Sequence, residues 1–205
     1  MEYSDYLSLR EDILSWLKPR LKESRYQHTL RVEQLSVSLA RLYAPKDYQS
    51  ASIAALLHDN AKNIALDKQL KLCEKYYPDM GLTMDYPSIL HAFAGAGEAK
   101  THYPEISDDI VNAICYHTTG RPGMSTLEKI IYCADYAEPG RELFPGLEET
   151  RNRLMKDLDL GLIMILSQTA EYVVGRGKAI HPLTIRTIRY YHDYISNHES
   201  EDQDG

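Results

Sequence analysis

Six side chains could share one metal centre: His28, the adjacent pair His58 and Asp59, His91, His117 and Asp135. Each is flanked by apolar or small residues, as in LLHDNAK, ILHAFAGA and YCADYA. A lone histidine in such a setting is more often satisfied by a backbone carbonyl, and a lone aspartate more often caps or pairs. Several that converge point to a cation. Neutral imidazole with carboxylate suits iron, manganese or zinc, and a set without thiolates disfavours a structural zinc site.

The pair His58-Asp59 carries the most information. Neighbours on a regular helix point about 100° apart, because there are 3.6 residues per turn. They can serve one site only at a helix end. There Asp59 can bridge two cations with its two oxygens while His58 binds one of them. The expected arrangement puts His28, His58, Asp59 and Asp135 on a first metal and Asp59, His91 and His117 on a second. Two cations roughly 3.5–4 Å apart lower the pKa of a shared water and clamp the oxygens of a phosphoryl group. Lys62, three residues after Asp59, can reach the same pocket, although alone it would be an ordinary solvated lysine. Arg121 and Arg141 stand in Gly- and Pro-containing loops just beyond two of the proposed ligands, and the guanidinium fork suits phosphate. His102, His192 and His198 sit in polar surroundings and are expected at the surface. His181, before a proline at a helix start, is expected to be structural. The sixteen tyrosines are expected as filler, with Tyr116 or Tyr136 able to line the pocket.

Bringing these residues together requires helices. Apolar residues recur at three- and four-residue spacing through nearly the whole chain, without strict alternation between hairpin turns, which predicts an all-α bundle around a shared centre. Helices are expected at about residues 6–18, 24–43, 48–57 and 66–77, with His28 in the first turns of the second and His58-Asp59 at the end of the third. Pro78, Gly81 and Pro87 mark a loop, and Ile89 opens a small-residue stretch that begins with His91. Ser107 should cap a helix carrying His117, with Asp108 and Asp109 at its positive end. Further helices are expected at about 126–135, 149–174 and 183–195. Residues 1–197 read as one domain, and 198–205 as a polar, disordered tail.

The bulk properties narrow the function. A net charge of −7 and a pI near 5.6 argue against a wide surface for nucleic acid or anionic lipid. The expected partners therefore include neither nucleic acid nor membrane. Three cysteines, Cys73, Cys115 and Cys133, form neither a disulfide framework nor a zinc knuckle and suit a reducing compartment. The N-terminal MEYSDYLSLREDIL does not look like a signal peptide. The most apolar run, residues 160–166, is far shorter than the roughly 20 residues of a membrane span. A cytoplasmic location is expected.

The series His28, His58-Asp59, Asp135 resembles the HD superfamily of metal-dependent phosphohydrolases, whose pattern is H…HD…D. The stretches LLHDNAK, ILHAFAGA, AICYHTTGRPGMSTLEKIIYCADYAEPGR and FPGLEETR look more closely like the bacterial YqeK family, from about Arg25 to the last helices. This resemblance implies a di-iron HD enzyme that splits dinucleoside tetraphosphates, such as diadenosine tetraphosphate, into two nucleoside diphosphates. It implies the same six ligands, with Asp59 and Lys62 in catalytic roles and Lys62, Thr118, Arg121 and Arg141 near the phosphates. Asn60 departs from the family's aromatic or aliphatic residue and is expected to affect the pocket wall, as is the longer RELFPG. Manganese or another divalent ion could replace iron, and a homodimer is left open. The rival readings are an HD phosphohydrolase acting on another nucleotide or an alarmone, and a catalytically silent nucleotide sensor. The presence of all six ligands counts against the sensor.

Overall fold

The computed structural model describes residues 2–201, with side chains described through residue 193. Among them are ten α-helices and no strand: α1 (Tyr3–Leu17), α2 (Glu23–Tyr43), α3 (Tyr48–Leu57), α4 (Leu66–Tyr76), α5 (Leu90–His102), α6 (Asp108–Tyr116), α7 (Thr126–Ala137), α8 (Leu147–Leu154), α9 (Leu158–Gly175) and α10 (Pro182–Glu201). The expected all-α bundle is what forms. The helix centre is α3, where Ala51, Ser52, Ile53, Ala54, Ala55, Leu56 and Leu57 are all buried. A helix apolar on every side must be enclosed, and α1, α2, α5, α6 and α7 enclose this one. Its alanines and serine let those neighbours approach closely, so its C-terminal end opens at the middle of the molecule.

Helix ends follow local chemistry. Ser107 caps α6 by accepting from Ile110 N, and Ser125 with Glu128 forms a capping box on α7. Helix α5 comes close to its neighbours because its glycines let it: a Cβ on Gly97 would lie 2.1 Å from the Tyr76 ring. His181 accepts from Leu183 N at 3.2 Å, capping α10, and meets the edge of Tyr86, which is the structural role expected of it. His102 and His192 are exposed. The side chain of His198 lies outside the described residues.

The single helix predicted over 149–174 is two, because Asp157 is extended (φ −156°) and its carboxylate caps α9 by accepting from Leu160 N at 2.9 Å. Gly161 then lets the start of α9 rest on Leu154, where a Cβ would come within 2.4 Å. Among the described residues α9 is long and apolar enough, by length and composition alone, to cross a bilayer, with mean hydropathy 1.2 over 18 residues. In this fold it packs on α7, α8 and α10. Helix α10 takes in residues 198–201 of the predicted tail, and residues 202–205 lie outside the described residues.

Candidate metal centre

All six predicted residues meet at the open end of α3. His28 comes from the second turn of α2, His91 from the first turn of α5, His117 from the residue after α6, and Asp135 from the last turn of α7. His58 and Asp59 lie where α3 gives way to tight turns, with Asn60 N bonded to Leu57 O and Lys62 N to Asp59 O. That loss of helical register points both side chains at one centre. Asn60 pins the turn: its amide donates to Leu57 O and to Gly95 O of α5, both at 2.9 Å. It is buried in helix packing, so its departure from the family residue acts on the turn, where an effect on the pocket wall was expected.

The two oxygens of Asp59 face different partners. Oδ2 looks toward His58 Nε2 at 3.5 Å and His28 Nε2 at 3.9 Å, and these rings lie 3.8 and 3.0 Å from Asp135 Oδ1. Oδ1 looks toward His91 Nε2 at 3.1 Å and His117 Nε2 at 3.8 Å. The far ring nitrogens explain the aim. His58 Nδ1 is 2.6 Å from Ala55 O, and His117 Nδ1 is 2.7 Å from Ile114 O. A carbonyl can only accept, so both nitrogens carry the proton and both Nε2 atoms present lone pairs to the centre. His28 Nδ1 donates likewise to Glu138 Oε1 at 3.1 Å. Inward, His28 Nε2, His58 Nε2 and Asp59 Oδ1 are buried without a hydrogen-bond partner. The short separations are therefore contacts around common points. Buried ligand atoms left unsatisfied in this way fit divalent cations, and His28, His58 and Asp135 on one side and His58, Asp59 and His117 on the other could each hold one.

The electrostatics agree. Burial disfavours charge on Asp59 and Asp135, yet His58 and His91 hold the first, and His28 and His58 the second, well below the ordinary carboxylate range. Burial lowers His91 despite the pull of Asp59, and lowers His117, which also faces His58 and His91, to about 3. Burial opposes charge on His58 as well, but there Asp59 wins and the pKa is raised. Two ionised carboxylates thus draw positive charge toward them, while the second histidine pair stays neutral, as metal binding requires.

The predicted phosphate residues divide. Lys62 Nζ lies 3.0 Å from His91 Nε2 and 3.9 Å from Asp59 Oδ1, and Arg141 Nη2 donates to Asp135 O at 2.6 Å. Thr118, beside His117, has its buried hydroxyl unpaired. Arg121 is engaged elsewhere: Nε and Nη2 donate to Glu128 at 2.6 and 2.8 Å, tying the HTTGRPG turn to the cap of α7. Sequence reasoning missed two members. Arg25 Nη1 donates to Asp59 Oδ2 at 2.8 Å. Glu138, 3% exposed, orients His28 and is itself held by Arg31 and by Gly140 N. A signal existed, since Arg25 precedes His28 by three residues and Glu138 follows Asp135 by three, spacings that share a helix face. A cleft of about 310 Å³ opens here, lined by Ser24, Arg25, His28, Glu138, Arg141 and Glu142.

Residues 25–140 match the HD domain model. The chain is 38% identical to the symmetrical bis(5'-nucleosyl)-tetraphosphatase of Halalkalibacterium halodurans, over 87% of this chain and 94% of that protein. It is 35% identical to the protein of the same name from Bacillus subtilis, over 88% and 96%. The crystal structure of a predicted HD superfamily hydrolase involved in NAD metabolism, from Clostridium acetobutylicum, superposes with a TM-score of 0.82 at 37% identity, over 90% of this chain and 97% of that one.

Proposed function

The chain belongs to the HD-domain family of the symmetrical bis(5'-nucleosyl)-tetraphosphatases, and from that premise we propose that it hydrolyses dinucleoside tetraphosphates to two nucleoside diphosphates, with diadenosine tetraphosphate giving two ADP. The observation that carries the reading is the two-sided seat of Asp59, one oxygen toward each histidine set. We take residues 1–197 as one phosphohydrolase domain. His28, His58, Asp59 and Asp135 would hold one divalent cation, and Asp59, His91 and His117 a second. Iron is the proposed metal, with manganese as its alternate. Such a pair activates water for attack at phosphorus and neutralises charge that develops on the phosphoryl oxygens.

The chain's own residues supply the rest. Glu138, Ala55 O and Ile114 O fix the tautomers of His28, His58 and His117, so no reorientation is needed when a cation or substrate arrives. Arg25 and Arg141 reach the cleft from α2 and from the loop after α7, where their guanidinium groups can hold phosphate oxygens. Lys62 stands on the His91 side and can do the same. Thr118 offers a free hydroxyl there. Arg121, with two of its donors on Glu128, would offer the rest of its guanidinium to a phosphate oxygen. The leaving nucleoside diphosphate is charged, so cationic side chains do work that a protonating acid would otherwise do.

The test is to incubate iron-loaded protein with diadenosine tetraphosphate, with a chelator-treated sample alongside, and identify the products by ion-exchange chromatography. ADP alone, lost on chelation, supports the reading. ATP with AMP overturns symmetrical cleavage, and no turnover overturns the substrate.

A further inference from the structure

The loop between α7 and α8 gives Arg141 and Glu142 to the cleft beside His28, and its next residues, Leu143 and Phe144, line another. Leu143 there is 68% exposed and Phe144 37% exposed, so two large apolar side chains stand side by side at the surface next to a polar centre. They line a second, open cleft of about 480 Å³ with Pro145, Gly146, Glu148 and Glu149. Phe144 is anchored at one edge, its ring 5.6 Å from Tyr136 in a T-shaped contact. Tyr136 in turn lies under Arg141, 5.8 Å from the guanidinium carbon, and Arg141 touches Asp135 of the candidate centre. Two ring contacts thus join Phe144 to Arg141, which faces the first cleft and bonds to Asp135, a proposed ligand.

Resting on the function proposed above, we infer that Leu143 and Phe144 form the platform for the second nucleoside of the substrate. The polyphosphate would pass between Arg25 and Arg141, and the far base would lie on the Phe144 ring. The charges sort the two clefts. Arg25 and Arg141 give the first cleft cationic groups beside Glu138 and Glu142, whereas the only charged side chains of the second, Glu148 and Glu149, repel a further phosphate and can accept from the hydroxyl and amino groups of a nucleoside. Every base has a π-face, so such a platform binds without strict base selection. It also lets half of the substrate rest on an open surface, which suits release of a nucleoside diphosphate after cleavage.

The experiment compares wild type with Phe144→Ser, Phe144→Tyr and Leu143→Ser, all metal-loaded. ADP release from labelled diadenosine tetraphosphate is followed in each, with inhibition by adenosine 5'-tetraphosphate, which carries the phosphate chain but one nucleoside. Phe144→Ser should raise KM for the dinucleotide about tenfold, the scale of one base–aromatic stack. Its kcat and its inhibition by adenosine tetraphosphate should stay within about twofold. Phe144→Tyr should restore KM, and Leu143→Ser, an exposed change that the fold tolerates, should raise KM about threefold. An unchanged KM in Phe144→Ser, or an equal loss toward both ligands, overturns the platform while leaving the hydrolase intact. A wild-type protein that releases no ADP overturns the parent reading and this one with it.

Discussion

Helices α2 and α3 build two buried polar clusters, one at each end of α3, and only one of them has ligand capacity left over. At the N-terminal end Glu33 accepts from Arg10 Nε and Nη2 at 2.6 and 2.8 Å and from Ser52 Oγ at 2.6 Å, while the Tyr6 hydroxyl donates to Ser52 at 3.0 Å. Every polar group there meets a partner, and the cluster pins α1 to the bundle. At the C-terminal end His28 Nε2, His58 Nε2 and Asp59 Oδ1 are equally enclosed and have none. Burial of charge therefore does not mark a site. Unsatisfied acceptors that share a focus do, because a buried lone pair left bare costs free energy that a bound ligand recovers.

That contrast can be broken most sharply at Asp59. Asp59→Ala should abolish hydrolysis and drop bound metal, read by elemental analysis of the purified protein; a variant that keeps both would end the two-metal proposal. Next comes Glu138→Gln, which keeps the size of the side chain but weakens the hold on His28 Nδ1. Metal affinity or kcat should fall by about 10–100-fold, the usual cost of losing such an outer partner. Wild-type affinity and kcat in this variant would show that His28 needs no orienting.

The satisfied cluster should respond in stability alone. Glu33→Gln places an amide donor against Arg10 and Ser52, and should cost roughly 2 kcal/mol, or about 4–8 °C in Tm, with kcat and metal content unchanged. A catalytic defect there would collapse the distinction between the two ends of α3. His181 offers the smallest effect and the same test within one residue type, since its ring is satisfied by Leu183 N. Burial lowers its pKa from 6.5. Between that lowered value and about 6.5 the unfolded chain binds a proton that the folded chain does not. Stability should therefore be fullest above about pH 6.5 and fall as pH drops below it. His181→Asn keeps an N-cap acceptor but does not titrate, so the fall in Tm between about pH 7.5 and about pH 5.5 should be shallower. Identical slopes would mean that the cap does not titrate.

Much of the site was legible because its residues announce themselves by setting. An aspartate beside a histidine, at the end of a helix as apolar as α3, has few other uses, and the start of α6 followed from Ser107. The break between α8 and α9 was missed because the apolar pattern runs on through it. Asp157 starts a new helix by turning its carboxylate forward onto Leu160 N, a local competition that periodicity does not register. Arg121 shows the same limit of a local reading. Its loop resembled a phosphate-binding position, but Glu128, placed by the α7 cap, takes two of its donors.

The sequence by itself determined that the chain is helical, that it carries six ligand-type side chains, and that His58 and Asp59 must share a helix end. These follow from spacing and residue type, which are properties of short segments. Only the tertiary structure decided that the two oxygens of Asp59 face opposite histidine sets, that Arg25 and Glu138 complete the centre, and that Phe144 is linked to Asp135 through Tyr136 and Arg141. Those relations join residues up to 110 positions apart, as His28 and Glu138 are, and they exist only once the apolar face of each helix has chosen its neighbour.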